Sequence, residues 1–340
     1  MKKFALLVML MVIAGCVSSK GETKPPEEIQ KNLPPLENAT KKEEIEKNKS
    51  VKNYSTIEVE ELSSFTAKDS ISSISGDGEY IAIGSWDDNI YLLKETEVLW
   101  RYRTRGSVYG VALCNGKVVA TSFIINGGKL YLLFINGTPY LEKDIPDLCS
   151  GVSCLGDLIL IGCRDGNLYA YNSHGDLVWK FETKKSAWGI WDVETHNGTI
   201  ALACDDTYVY TLNASGDLIW KASAGRKSYL YGVDVYNSGI AVASQDGFVY
   251  FYRGGNLLWK FKTGFSNSAV KFSPDGEYIA VGSWDKNLYI LNREGKLMKK
   301  VNVGSEINDI VFGEDMIILG LKSGEVKFFR WNTSYRSWSH

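Results

Sequence analysis

Histidine is nearly missing from this chain, with three residues in 340. That removes most of the material for imidazole metal sites and for histidine-based acid–base catalysis. Proline is scarce too: there are seven, and Pro25, Pro26, Pro34 and Pro35 all fall near the N-terminus. Neither sign of charge prevails, since 38 Lys and Arg against 40 Asp and Glu leave a formal charge of −2. No basic field therefore argues for nucleic acid. The long apolar run Phe4 to Ile13 is shorter than the roughly 20 residues a transmembrane helix needs. What the chain does have is 33 Gly, 19 Tyr and 10 Trp, a composition of short strands joined by frequent turns.

The first residues read as an export signal. Lys2 and Lys3 precede the apolar run, and Ile13-Ala14-Gly15-Cys16 supplies a small-residue cleavage site ending in cysteine. The stretch resembles a prokaryotic lipoprotein signal. That resemblance implies cleavage after residue 15, lipid attachment at Cys16, and an extracytoplasmic protein anchored to the cell membrane. Residues 16–55 follow with eight Lys, seven Glu and no aromatic before Tyr54. Such a segment cannot bury enough apolar surface to offset chain entropy, and is expected to be a disordered tether spanning roughly 35 Å as a flexible coil. Seven Asn-x-Ser/Thr sequons occur, at Asn38, Asn48, Asn53, Asn136, Asn197, Asn213 and Asn332, and are candidate glycosylation sites.

Residues 56–340 repeat one pattern. Leu168-Tyr169-Ala170-Tyr171-Asn172 followed by Gly175-Asp176-Leu177-Val178-Trp179-Lys180 recurs as Val209-Tyr210-Thr211-Leu212-Asn213 with Gly216-Asp217-Leu218-Ile219-Trp220-Lys221. The tryptophan slot holds Trp100, Leu141, Trp179, Trp220, Trp259 and Met298, at intervals of 38 to 41 residues. Each unit carries four short apolar runs parted by Gly, Asn and Asp turn signals, the pattern of an antiparallel meander. One such sheet has two apolar faces and cannot stand alone. Seven packed around an axis bury them all. The expected fold is therefore all-β: a seven-bladed β-propeller of four-stranded antiparallel blades.

The frame Leu-Tyr-x-x-Asn-x-x-Gly-x-Leu-x-Trp-Lys resembles the repeat of quinoprotein-like (PQQ-type) propellers. Gly84-Ser85-Trp86-Asp87, and Ser273-Pro274-Asp275-Gly276 with Gly282-Ser283-Trp284-Asp285, resemble WD40 blades. No unit carries the Gly-His pair of the WD40 pattern, so the hydrogen-bond network built on that histidine is expected to be absent. The outer strand of the last blade has two possible sources. Ile57 to Thr66, with Ser63 in the tryptophan slot, fits better than Tyr335 to His340 with Trp338, because that tail is short and lacks the turn glycine.

Turns between second and third strands and the loops between blades share one face of such a disc. The first set contributes Trp86, Phe123, Arg164, Asp205, Gln245, Trp284 and Lys322; the second includes Arg103, Arg105, Lys184, Lys185, Arg226, Lys227 and Phe265. Tyr109, Trp188 and Tyr231, each before a glycine, are expected near the axis at the start of inner strands, where other units place Ser150 and Ser268. Aromatics ringed by Arg105, Lys185 and Arg226 suit a peptide, a sugar or an anionic polymer, with Trp86 and Trp284 the expected exposed rings; packing between blades is the competing role. The repeated outer tryptophans read as inter-blade packing, and Asp87, Asp165, Asp246 and Asp285 as turn formers.

Five cysteines follow Cys16. Cys163 and Cys204 occupy a slot that is serine elsewhere, and Cys114 and Cys154 align as equivalents of adjacent units, a placing expected to be too distant to bridge. Cys149 with Cys154 is the expected local disulfide. No ligand spacing marks a metal site, and no nucleophile–base pair or phosphate loop is present in the sequence. The leading expectation is a monomeric, membrane-anchored binding or assembly scaffold at the cell envelope, without catalytic residues or a cofactor, meeting an envelope protein or polysaccharide on its loop face. The alternatives are an enzyme at the channel mouth, quinoprotein-like (with PQQ and calcium) or carbohydrate-active, and a structural surface-layer component.

Overall fold

A computed structural model describes residues 54–125, 127–183, 189–225 and 228–335. The signal, Cys16, Asn38, Asn48, Asn53, Lys184, Lys185, Trp188, Arg226, Lys227, Trp338 and His340 lie outside the described residues.

Twenty-eight strands form seven four-stranded antiparallel sheets among the described residues. The chain enters through β1 (Tyr54–Thr66) and then lays down complete blades. Blade 1 is β2 (Ile71–Gly76), β3 (Tyr80–Ser85), β4 (Asn89–Lys94) and β5 (Glu97–Arg103). Blade 2 is β6 (Val108–Cys114), β7 (Lys117–Ile124), β8 (Gly127–Phe134) and β9 (Pro139–Ile145). Blade 3 is β10 (Cys149–Leu155), β11 (Leu158–Cys163), β12 (Asn167–Tyr171) and β13 (Leu177–Glu182). Blade 4 comprises β14 (Ile190–His196), β15 (Thr199–Cys204), β16 (Tyr208–Leu212) and β17 (Leu218–Ser223). Blade 5 comprises β18 (Leu230–Tyr236), β19 (Gly239–Ser244), β20 (Phe248–Arg253) and β21 (Asn256–Lys262). Blade 6 comprises β22 (Asn267–Phe272), β23 (Tyr278–Ser283), β24 (Asn287–Asn292) and β25 (Leu297–Asn302). Blade 7 takes β26 (Ile307–Phe312), β27 (Met316–Leu321) and β28 (Glu325–Tyr335), and β1 completes it in the order β1-β28-β27-β26. The ring is closed by the N-terminal strand, and Ser63, opposite Phe328, stands in its tryptophan slot.

The apolar alternation of the inner three strands explains the packing. Seven clusters of buried side chains lie one at each contact between neighbouring blades. Ala82, Ile90 and Leu92 of blade 1 meet Val108, Val111 and Val118 of blade 2, for example. Outer strands are half-exposed, and their tryptophans reach across to the next blade. Trp100 donates its indole N–H to the Ile135 carbonyl at 2.8 Å, and Trp259 to Arg293 at 2.9 Å.

The turn aspartates do more than form turns. Asp87, Asp165, Asp206, Asp246 and Asp285 each accept a backbone N–H two residues on. Each also accepts the hydroxyl of a tyrosine four residues later, Tyr91, Tyr169, Tyr210, Tyr250 and Tyr289. Burial works to raise the Asp87 and Asp285 carboxyls; hydrogen bonds led by Tyr91 and Tyr289 outweigh it and hold both below the usual carboxylate range. An Asp–Tyr pair therefore ties turn to strand in five blades.

The cysteines correct the expected pairing. Cys114 bridges to Cys154 across blades 2 and 3, with Cα atoms 6.0 Å apart, and Cys149 bridges to Cys163, its register partner on β11. The Cys149–Cys154 bond is not formed. Cys114 is the seventh residue of β6 and Cys154 the sixth of β10, so the two are not true equivalents. Successive strand residues face opposite neighbours; an offset of one place lets two inner strands present cysteines to each other. Cys204 is buried and free, the small core residue its slot implied.

Candidate functional site: the upper mouth of the propeller

All seven pairs of inner strands share one irregularity. The register slips after the first residue of each inner strand, at Ile71/Ser73, Val108/Gly110, Cys149/Gly151, Ile190/Asp192, Leu230/Gly232, Asn267/Ala269 and Ile307/Asp309. A bulge leaves one residue unpaired and re-aims it. The bulged residues are Ser72, Tyr109, Ser150, Trp191, Tyr231, Ser268 and Asn308, and they ring the axis at the end of the disc that carries the inter-blade loops (here the upper end).

These seven divide by chemistry. Ser72 donates to the Val108 carbonyl at 2.8 Å, Ser150 to Trp191 at 2.9 Å, Ser268 to Ile307, and Asn308 to Ile71 at 2.7 Å. Small polar residues thus stitch one blade to the next. The three aromatics pack against neighbouring rings. Tyr109 lies between Trp86, with ring centroids 5.8 Å apart, and Phe123, at 6.4 Å. Tyr231 lies between Trp191, at 5.2 Å, and Trp284, at 5.5 Å. Burial pushes the Tyr109 and Tyr231 hydroxyls above the usual phenol range, so both stay protonated. The mouth therefore has two aromatic arcs, over blades 1–2 and 4–6, with polar gaps at Ser150 and Asn308.

A second ring surrounds the first. Trp86, Phe123, Arg164, Asp205, Gln245, Trp284 and Lys322 each donate a backbone N–H to a carbonyl just ahead of the neighbouring inner strand, over 2.8 to 3.0 Å. The same backbone bond holds this position in every blade whatever its side chain, so the side chain can differ from blade to blade.

Trp86 and Trp284 are half-buried rather than exposed rings, Trp86 tilted against Tyr109 and Trp284 stacked on Tyr231. The indole N–H groups of Trp86, Trp191 and Trp284 are buried with no hydrogen-bond acceptor. Among the described residues, the exposed large apolar side chains at this end are Phe265, 60% exposed, and Ile125, 82% exposed. In blade 4 the bulge position at the axis is held by Trp191. Of the three expected cations, Arg105 is described; it is exposed and pairs with Glu142 at 3.0 Å.

Below the mouth the inner strands line a cavity of about 320 Å³. Asp192, Asp234 and Asp309 line it, each accepting two backbone N–H groups, one from its own strand and one from the next blade. Lys271 and Glu194 form an ion pair beside them. Burial raises all three aspartates, Asp234 to about 7 and Asp309 to about 6, with Lys271 drawing Asp192 and Asp309 back down.

Comparisons with known proteins agree with this architecture. The WD40 repeat family (WD domain, G-beta repeat) matches residues 59–93, from the closing strand β1 into β4 of blade 1. The chain is a β-propeller, one stretch of which is similar to a WD40 repeat. The family of the lambda-carrageenase β-propeller domain matches residues 229–318 of the same propeller. A solved structure, the WD40 β-propeller domain of Doa1, superposes with a TM-score of 0.70 at 15% identity, covering 80% of this chain and 96% of that one. The ciliary WD repeat-containing protein ctxp80 of Euplotoides octocarinatus is 25% identical over 240 residues, 61% of this propeller chain and 33% of that protein. Lambda-carrageenase of Pseudoalteromonas carrageenovora is 33% identical over 79 residues, 22% of this chain and 8% of that enzyme. The chain thus spans about a third or less of the length of these relatives.

Proposed function

We propose that this propeller is an exported, lipid-anchored scaffold that holds a protein partner against its upper mouth. The observation carrying the reading is the double ring there: aromatic bulge residues packed against tryptophans, with Phe265 and Ile125 exposed beyond them. Aromatic rings on a rigid frame give contact area at low entropic cost. Two disulfides support an oxidising compartment, as does the lipoprotein-like Ile13–Cys16 sequence. The relatives' WD repeats favour a protein as the partner.

Crosslinking on intact cells should recover a stoichiometric envelope protein, and Trp284→Ala should lower that yield about tenfold or more while melting stays within a few degrees. Recovery unchanged by Trp284→Ala and by Phe265→Ala would move the contact away from the mouth. A polysaccharide ligand is the second reading. It is favoured by the lambda-carrageenase propeller match, because residues 229–318 include Tyr231, Phe265 and Trp284; glycan-array binding lost in the same variants would select it.

A further inference from the structure

The sequons acquire a pattern once placed on the fold. Strands run alternately down and up each blade, so the turns after first and third strands lie at the lower end of the disc, opposite the mouth. Asn197 lies in the turn between β14 and β15, Asn136 between β8 and β9, and Asn213 between β16 and β17. Asn332 lies in the last residues of β28, which runs downward from Glu325. All four described sequons are therefore at the lower end. Six described asparagines lie at the upper end, Asn89, Asn167, Asn267, Asn287, Asn302 and Asn308, and none begins a sequon.

The local geometry separates the four. Asn136 is exposed at the tip of its turn, its Oδ1 accepting the Thr138 N–H at 3.0 Å. Asn197 is exposed at φ +49° in a tight hairpin turn; its amide reaches His196 at 2.9 Å and Asn237 at 3.4 Å. Asn332 is exposed near the lower end of β28. Asn213 is half-buried and tied on both sides: its Oδ1 accepts the N–H groups of Ser215 and Asp217, and its Nδ2 donates to the Asp217 carboxylate at 3.0 Å.

We propose that Asn136, Asn197 and Asn332 are N-glycosylation sites, that Asn213 is not, and that the sugars sheathe the lower end while leaving the mouth bare. The donor class is an oligosaccharide carried on a lipid phosphate. The Asn Nδ2 forms a bond to the anomeric carbon of the sugar, the bond from that carbon to the phosphate oxygen breaks, the lipid phosphate leaves, and a transferase base takes the amide proton. A secondary amide keeps one N–H, so Asn197 can retain one of its two bonds.

The inference rests on the export half of the proposed function. The full chain, purified from its own cells, is measured by intact mass and by peptide mass after digestion. Glycan mass is expected on the peptides bearing Asn136, Asn197 and Asn332, with Asn213 unmodified. Thr138→Val should remove the first glycan while keeping Asn136 and its turn bond, which excludes misfolding as the cause. A lipid-bearing chain that begins at Cys16 with all three asparagines unmodified overturns this inference alone. A chain that retains residues 1–15 and carries no sugar overturns both it and the export reading. Glycan on Asn213 in place of the other three also refutes it.

Discussion

Gly216 meets two demands at once. Its φ is +85°, and a Cβ there would lie 2.8 Å from the Trp179 ring of the preceding blade. The repeat's spaced Gly and Trp are thus partners across blades, the turn of one unit seating the tryptophan of the unit before. Gly216→Ala should cost about 1 kcal/mol for the backbone conformation and about 1–3 kcal/mol more for overpacking against the indole. Gly116, at φ +72° with nothing within 4 Å of a Cβ, is the control and should lose only the first part. Equal losses in chemical denaturation would mean that the ring contact contributes nothing.

At the level of strands, the disulfides give a graded expectation. Cys114–Cys154 closes a sequence separation of 40 and Cys149–Cys163 one of 14. Loop-closure entropy assigns them about 4 and about 3 kcal/mol respectively. Replacing the first pair by serine should therefore lower stability by about 1 kcal/mol more than replacing the second; the reverse order would show that strand pairing of Cys149 with Cys163 matters more than chain entropy. The blade count, the four strands per blade and the closure by β1 were all legible in the sequence, because turn residues and the tryptophan slot recur at a near-constant interval. The bulge was not legible. Its residue is Ser, Tyr, Trp or Asn in turn, with no common chemistry to mark it. A following glycine is no reliable marker either, because only three blades have it, at Gly110, Gly151 and Gly232, and blade 4 has Asp192 there. Cysteine partners failed for a related reason: sequence alignment seeks equivalent positions, while facing strands need positions one apart.

For the whole molecule, the axial carboxylates set a pH dependence. Asp234 and Asp309 are raised to about 7 and about 6, against about 3.9 in an unfolded chain. A raised carboxyl contributes stability that is fully present below its unfolded value and lost as pH rises through the folded one. Asp87 and Asp285, held low, act in the opposite sense but below about pH 4. Between pH 5 and pH 8 the melting temperature should therefore fall, and Asp234→Asn should flatten that slope. A melting temperature that rises over the interval, or a slope unchanged in Asp234→Asn, would remove the axial cluster from the account. Asp309 and Asp192, the other raised carboxyls facing the cavity, set the remaining slope.

The closing strand also decides how the ring bears load. Eleven residues of β1 pair with β28 in antiparallel register, from Tyr54 opposite Tyr335 to Thr66 opposite Glu325. Cross-strand hydrogen bonds lie perpendicular to the strands. A pull along β1 from ahead of Tyr54, with the upper mouth held, strains these bonds side by side, as a glued lap joint is strained, and none can open before its neighbours. A sideways pull would peel them one pair at a time. Joined this way, the ring resists force best along its own axis, the direction in which a tethered protein gripping something above it would be stretched.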